Sequence, residues 1–159
     1  MSLSTISKIL VPIDGSPSSM RAADASVALA RKYSAESQPV EVIALHVIDI
    51  NPKFHLFSKY GFHYSEYEKA ALEQAGKVTE GWFSKILDKA EAYDVRFRSE
   101  ISDNSTLSVT GEIVNYAERE HIDVIVIGTK GNSEFDKLMM GSVSSGVATY
   151  APCTVVIVR

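Results

Sequence analysis

Val124-Ile125-Val126-Ile127-Gly128-Thr129-Lys130-Gly131, followed by Gly141-Ser142-Val143-Ser144-Ser145, reads as a strand, a glycine-bracketed loop and the start of a helix. Four β-branched residues suit a strand buried on both faces. Gly128 and Gly131 let the backbone turn sharply at its end. Gly141-Ser142 then opens a helix whose first amides are unpaired and carry partial positive charge. Such amides suit an anion, and Ser142 and Ser144 can add hydroxyl donors. The ligand this geometry suggests is a phosphate chain. The pattern also fits ordinary loop chemistry, since serine is a common helix cap. Spacing alone leaves both readings open.

Working outward, Lys8-Ile9-Leu10-Val11-Pro12-Ile13-Asp14 is a first apolar strand, with Pro12 near its end where a missing donor is tolerated. Asp14-Gly15-Ser16-Pro17 turns into a helix capped by Ser16 that runs to about Tyr33. Val40 to Ile48 is the second strand, so the order predicts a right-handed parallel βαβ unit.

Asn51 to Ser65 is rich in aromatic residues and contains His55 and His63. It reads as a loop packed on the body, as a lid or partner surface, or, with least support, as a metal site. A long helix from about Glu66 to Tyr93 is expected to bury Ala71, Ala75, Val78, Trp82 and Ile86, with Leu87 widening the stripe. Gly76 and Gly81 inside it read as close packing or a bend. Asp94 to Ile101 alternates apolar and charged residues, which predicts an edge strand. A helix over Leu107 to Glu120 precedes the strand quoted above. A brief helix from Ser142 to Tyr150, which Gly146 is expected to loosen, precedes a last strand at Thr154 to Val158.

This alternation predicts an α/β fold, an open, doubly wound parallel sheet of five strands with helices on both faces. Ligands of such sheets sit at the carboxyl ends of the strands, where the winding reverses. Asp14 ends the first strand and Gly128 the fourth. If those strands are neighbours, a carboxylate able to accept ribose hydroxyls lies beside the glycine loop, and a nucleotide site becomes the favoured reading.

The 159 residues are read as one domain over 1–159. Net charge is −4, without the basic excess of a nucleic-acid binder. No run of 18 apolar residues suits a membrane span, and the N-terminus lacks the pattern of a secretory signal. One cysteine, Cys153, fits a reducing cytoplasm. Neither G-x-G-x-x-G nor G-x-x-x-x-G-K-[ST] is present, so neither a standard dehydrogenase nor a P-loop NTPase is supported.

Gly128-x2-Gly131-x9-Gly141-Ser142 resembles the ATP-binding signature of the universal stress protein family. So do Ile9-Leu10-Val11-Pro12-Ile13-Asp14-Gly15-Ser16 and Leu45-His46-Val47-Ile48, and the resemblance runs from Lys8 to Arg159. It implies strand order 3-2-1-4-5, as in adenine nucleotide α hydrolase-like folds, and a homodimer paired through Thr154 to Val158. It also implies binding of ATP, ADP or AMP, with Mg²⁺ held through the phosphates rather than by protein side chains. By position, Asp14 and Gly128 would hold the ribose, and Pro12, Ile13, Val47 and Ile127 would line the adenine pocket. Gly131, Gly141, Ser142, Val143 and Ser144 would cradle the triphosphate. The implied role is a nucleotide-dependent stress-response module with a protein partner and at most slow hydrolysis. No residue is obviously placed to orient an attacking water. The alternative is a genuine ATPase or nucleotidyl-transfer enzyme of the same α/β class.

Other side chains read blandly. Lys130 either pairs a phosphate or is solvated. His46 reads as structural, His121 beside Asp123 as a surface pair, and Cys153 as buried rather than reactive.

Overall fold

Apolar β-branched runs become the strands, and each is followed by an amphipathic helix. The computed structural model describes residues 6–35, 38–49, 64–103, 107–129 and 139–159. In chain order the elements are β1 (Lys8–Pro12), α1 (Pro17–Tyr33), β2 (Glu41–Val47), α2 (Tyr64–Ala92), β3 (Arg96–Ser102), α3 (Val109–Arg119), β4 (Val124–Gly128), α4 (Ser142–Tyr150) and β5 (Thr154–Val158). The five strands form one parallel sheet in the order β3-β2-β1-β4-β5, as expected. Most of the aromatic stretch, with His55 and His63, lies outside the described residues, as do Lys130 and Gly131.

Alternation along the central strands feeds two cores. Ile9, Val11, Val42, Ala44 and Val126 face α1 and α2, where Val27, Ala30, Ile86 and Ala90 meet them. Leu10, Ile43, Leu45 and Ile125 face the other layer and meet Ile113, Tyr116 and Ala117 of α3 and Val147 of α4. β3 is an edge strand with a charged face. Its Arg98 pairs with Glu41, Glu100 and Glu120. Among the described residues no helix is long and apolar enough to cross a membrane.

Three expectations about helices change. Val78 is 46% exposed and Leu87 is also exposed, while Thr79 is buried between Ala75 and Ile86. Thr79 tolerates burial because its hydroxyl donates to the Ala75 carbonyl at 2.8 Å. Gly146 does not loosen α4. A Cβ there would lie 2.7 Å from Thr110 Cγ2, so the missing side chain lets α4 approach α3. Gly76 and Gly81 have open space where a Cβ would stand, among the described residues, so they mark no close packing. Gly76→Ala and Gly81→Ala are each expected to raise stability by about 0.5–1 kcal/mol, read from urea unfolding. A loss of stability in either variant would contradict the open geometry.

Candidate functional site

The site lies where the sheet changes winding direction. β1 and β4 are neighbours, paired at Ile9↔Val124 and Leu10↔Ile125. β1 leads to α1 on one face, and α4, after β4, packs on the other. Their diverging ends leave a cleft with a cavity volume of about 140 Å³. One water needs about 10–15 Å³ by the same measure, so the space exceeds a single solvent molecule.

The cleft gathers residues from distant parts of the chain. Pro12 and Ile13 end β1, Val47 ends β2, and Ile127 and Gly128 end β4, and all five line it. Asp14, between β1 and α1, lines it too, as do Gly141, Ser142, Val143 and Ser144 at the start of α4. Gly131 alone of the residues expected here lies outside the described residues. Sequence reasoning passed over Ser16, Ser18 and Ser19 at the start of α1, and also His46, all of which line the cleft. The signal for the serines was Gly128. A Cβ there would lie 2.5 Å from the Ser18 carbonyl carbon and oxygen, so α1 begins directly against the end of β4.

The two helix starts differ. At α1, Ser16 accepts the Ser19 amide at 3.2 Å. At α4 the cap is Gly141, and among the described residues no side chain caps the helix. Among those residues the first-turn amides of α4 are therefore unpaired, a ready arrangement for an anion. The Ser144 hydroxyl is not among the free donors, because it is buried and donates to the Gly141 carbonyl at 3.0 Å.

In the same cleft, Asp14 Oδ1 accepts the Ser16 amide at 2.9 Å. Burial pushes the carboxyl up, but hydrogen bonds from the Ser16 side chain and amide and from Ser19 outweigh it. The result lies below the ordinary value of 3.8, and Asp14 is an anion at neutral pH. A carboxyl whose folded pKa is lowered adds stability that is present above its unfolded value and lost as pH falls through the folded one. The stability advantage of the wild type over Asp14→Asn should therefore be full above about pH 5 and fade below 3.8. Urea midpoints measured across that range check it, and an advantage that persists unchanged at the acid end would contradict it.

His46 is half-buried, and its contacts are structural. Its Nδ1 lies 2.7 Å from the Ile13 carbonyl oxygen, and its ring meets Trp82 edge-on, with centroids 5.5 Å apart. Cys153 is half-buried. Burial pushes its thiol up and the Asp123 charge adds to this, against a smaller opposing hydrogen bond from the Ile125 backbone. Among the described residues no three His, Cys, Asp or Glu side chains group as a metal site.

The family model for the universal stress protein family matches residues 5–159. Universal stress protein MJ0531 of Methanocaldococcus jannaschii is 31% identical over 152 residues, 96% of this chain and 81% of that protein. Among solved structures, the protein MJ0577 superposes with a TM-score of 0.70 at 25% identity, covering 97% of this chain and 96% of its own. The universal stress protein from Archaeoglobus fulgidus in complex with dAMP shares the fold, with a TM-score of 0.61 at 17% identity and coverage of 98% and 99%. A universal stress protein in complex with cAMP does so at 0.62 and 21%, covering 98% of each chain. So does a family protein from Arabidopsis thaliana with AMP bound, at 0.59 and 18%, covering 95% and 90%. Family model, relative and fold agree along nearly the whole length of the chain, which belongs to the universal stress protein family.

Proposed function

We propose that the cleft binds an adenine nucleotide, with ATP as its working ligand, and that residues 1–159 act as one nucleotide-dependent regulatory domain. The observation that carries this reading is that a helix start with no side-chain cap among the described residues and an ionised carboxylate line one largely apolar cleft. In this reading Pro12, Ile13, Val47 and Ile127 sandwich the base. Asp14 accepts the ribose hydroxyls, with Gly128 leaving room for the sugar. The phosphates lie on the amides of Ser142, Val143 and Ser144, with Gly141 admitting their close approach and Gly131 completing the loop. Solved structures of this fold that hold dAMP, cAMP and AMP support the ligand class.

The reading extends to Mg²⁺, which would be held by the phosphates rather than by protein side chains. Bound there, it would neutralise phosphate charge. In this reading the Asp14 carboxylate is engaged by the ribose and His46 by the Ile13 carbonyl, so turnover should be below roughly 1 s⁻¹, at the bottom of the usual enzyme range. A homodimer through Thr154 to Val158 belongs to the same proposal. β5 is an edge strand, Val156 is 38% exposed, and an uncovered apolar edge invites pairing.

Titration calorimetry with ATP, AMP and GTP tests the reading. Both adenine nucleotides should bind at least tenfold more tightly than GTP. Equal affinity for GTP, or no binding by any of them, would overturn it.

A further inference from the structure

We propose that His46 is a positioning residue that holds the base-binding edge of β2 open by capturing the Ile13 carbonyl. The inference rests on the nucleotide reading given above and deepens it.

The argument begins with the β1–β2 ladder. Pro12 pairs with Leu45, and the Ile13 amide donates to the Leu45 carbonyl at 2.8 Å. In a parallel ladder the next bond runs from the amide two residues on, Val47, back to the Ile13 carbonyl. Among the described residues that bond is not made. On its other side β2 still pairs with β3, where the Ile48 amide donates to Ser102. Alternation along the strand therefore turns the Val47 amide and carbonyl toward β1, into the gap where β1 has ended.

The Ile13 carbonyl is bound instead by His46 Nδ1. A carbonyl oxygen only accepts, so Nδ1 carries the proton. The ring cannot swing away easily. Trp82 meets it at 71° and also lies against Gly15, where a Cβ would stand 2.1 Å from the indole. The carbonyl keeps a second lone pair, so the imidazole acts by holding the Ile13 peptide out of line with the Val47 amide, not by using up the acceptor. Among the described residues, Val47 is left with an unpaired donor and acceptor beside the apolar slot. Adenine offers an acceptor at N1 and a donor at its amino group, the complementary pair.

Two measurements test this on His46→Leu and His46→Asn, the second keeping a donor near the Nδ1 position. The first is the trans-hydrogen-bond scalar coupling between the Val47 amide nitrogen and the Ile13 carbonyl carbon, by NMR without nucleotide. It should be absent in the wild type and in His46→Asn, and present in His46→Leu. The second is calorimetry with AMP and with ribose 5-phosphate. His46→Leu should weaken AMP about tenfold and leave ribose 5-phosphate unchanged, and His46→Asn should restore AMP. A Val47–Ile13 coupling in the wild type overturns the inference even if neither variant folds. So does an unchanged spectrum in a folded His46→Leu, or an equal loss for both ligands. If the couplings behave as expected but the wild type binds no AMP, the nucleotide reading falls and the capture of the Ile13 carbonyl by His46 stands.

Discussion

Gly128→Val should cost about 3 kcal/mol or more of folding stability, enough to lower the melting temperature by roughly 6–12 °C in a chain of this size. A Cβ at Gly128 would stand 2.5 Å from the carbonyl carbon and oxygen of Ser18 and 2.7 Å from the Ser19 amide nitrogen. All three are backbone atoms, so no rotamer change relieves the overlap. β4 and α1 must separate, and both belong to the interior, where packing is dense and strain is not absorbed locally. The displaced start of α1 carries Ser16 and Ser19, which hold the Asp14 carboxylate in its ionised form. Binding should therefore fall together with stability. Urea unfolding measures the first effect. A cost below about 1 kcal/mol would mean that α1 is not seated against β4 as described.

Gly141→Val should do the reverse, leaving the fold intact and removing the ligand. Gly141 has φ −61 and ψ 157, an extended conformation open to any residue. Valine is a poor helix cap, so a loss within about 1 kcal/mol is expected from that source. Its methyl groups, however, would stand over the first-turn amides of α4, where the proposed phosphates lie. Affinity for ATP should fall at least 100-fold by calorimetry, with the unfolding midpoint nearly unchanged. Retained affinity would remove the phosphate role from Gly141 to Ser144. The pair of variants separates two uses of glycine. One glycine admits a neighbouring element, and the other is proposed to admit a ligand.

Much of the site was legible because its residues end strands. Asp14 follows the apolar run of β1 and Gly128 closes that of β4. In a doubly wound sheet those two ends can meet only where the winding reverses. The serines of α1 were less legible, since Ser16 to Ser19 reads first as a capping sequence, which it also is. Val78 and Thr79 show a different limit. Hydropathy ranks valine as the buried member of the pair, but α2 is rotated so that position 79 faces inward, and the threonine hydroxyl is satisfied by its own helix. The structural reading of His46 was legible, but not its bond partner, because Ile13 lies 33 residues away at the end of a neighbouring strand.

The sequence by itself determined the alternation of strands and helices, the parallel sheet, and the side of the sheet on which Asp14, Gly128 and Gly141 stand. Periodicity and turn chemistry are properties of a few consecutive residues, and they fix the type and order of the elements and where each one ends. Tertiary structure alone decided that the Ser18 backbone fills the space over Gly128, that Thr110 fills the space over Gly146, and that the Ser144 hydroxyl turns back to Gly141. It also decided that His46, rather than the Val47 amide, binds the Ile13 carbonyl. These are distances between elements. They are set by the summed packing of two cores on either side of the sheet, and no local stretch of residues encodes that sum.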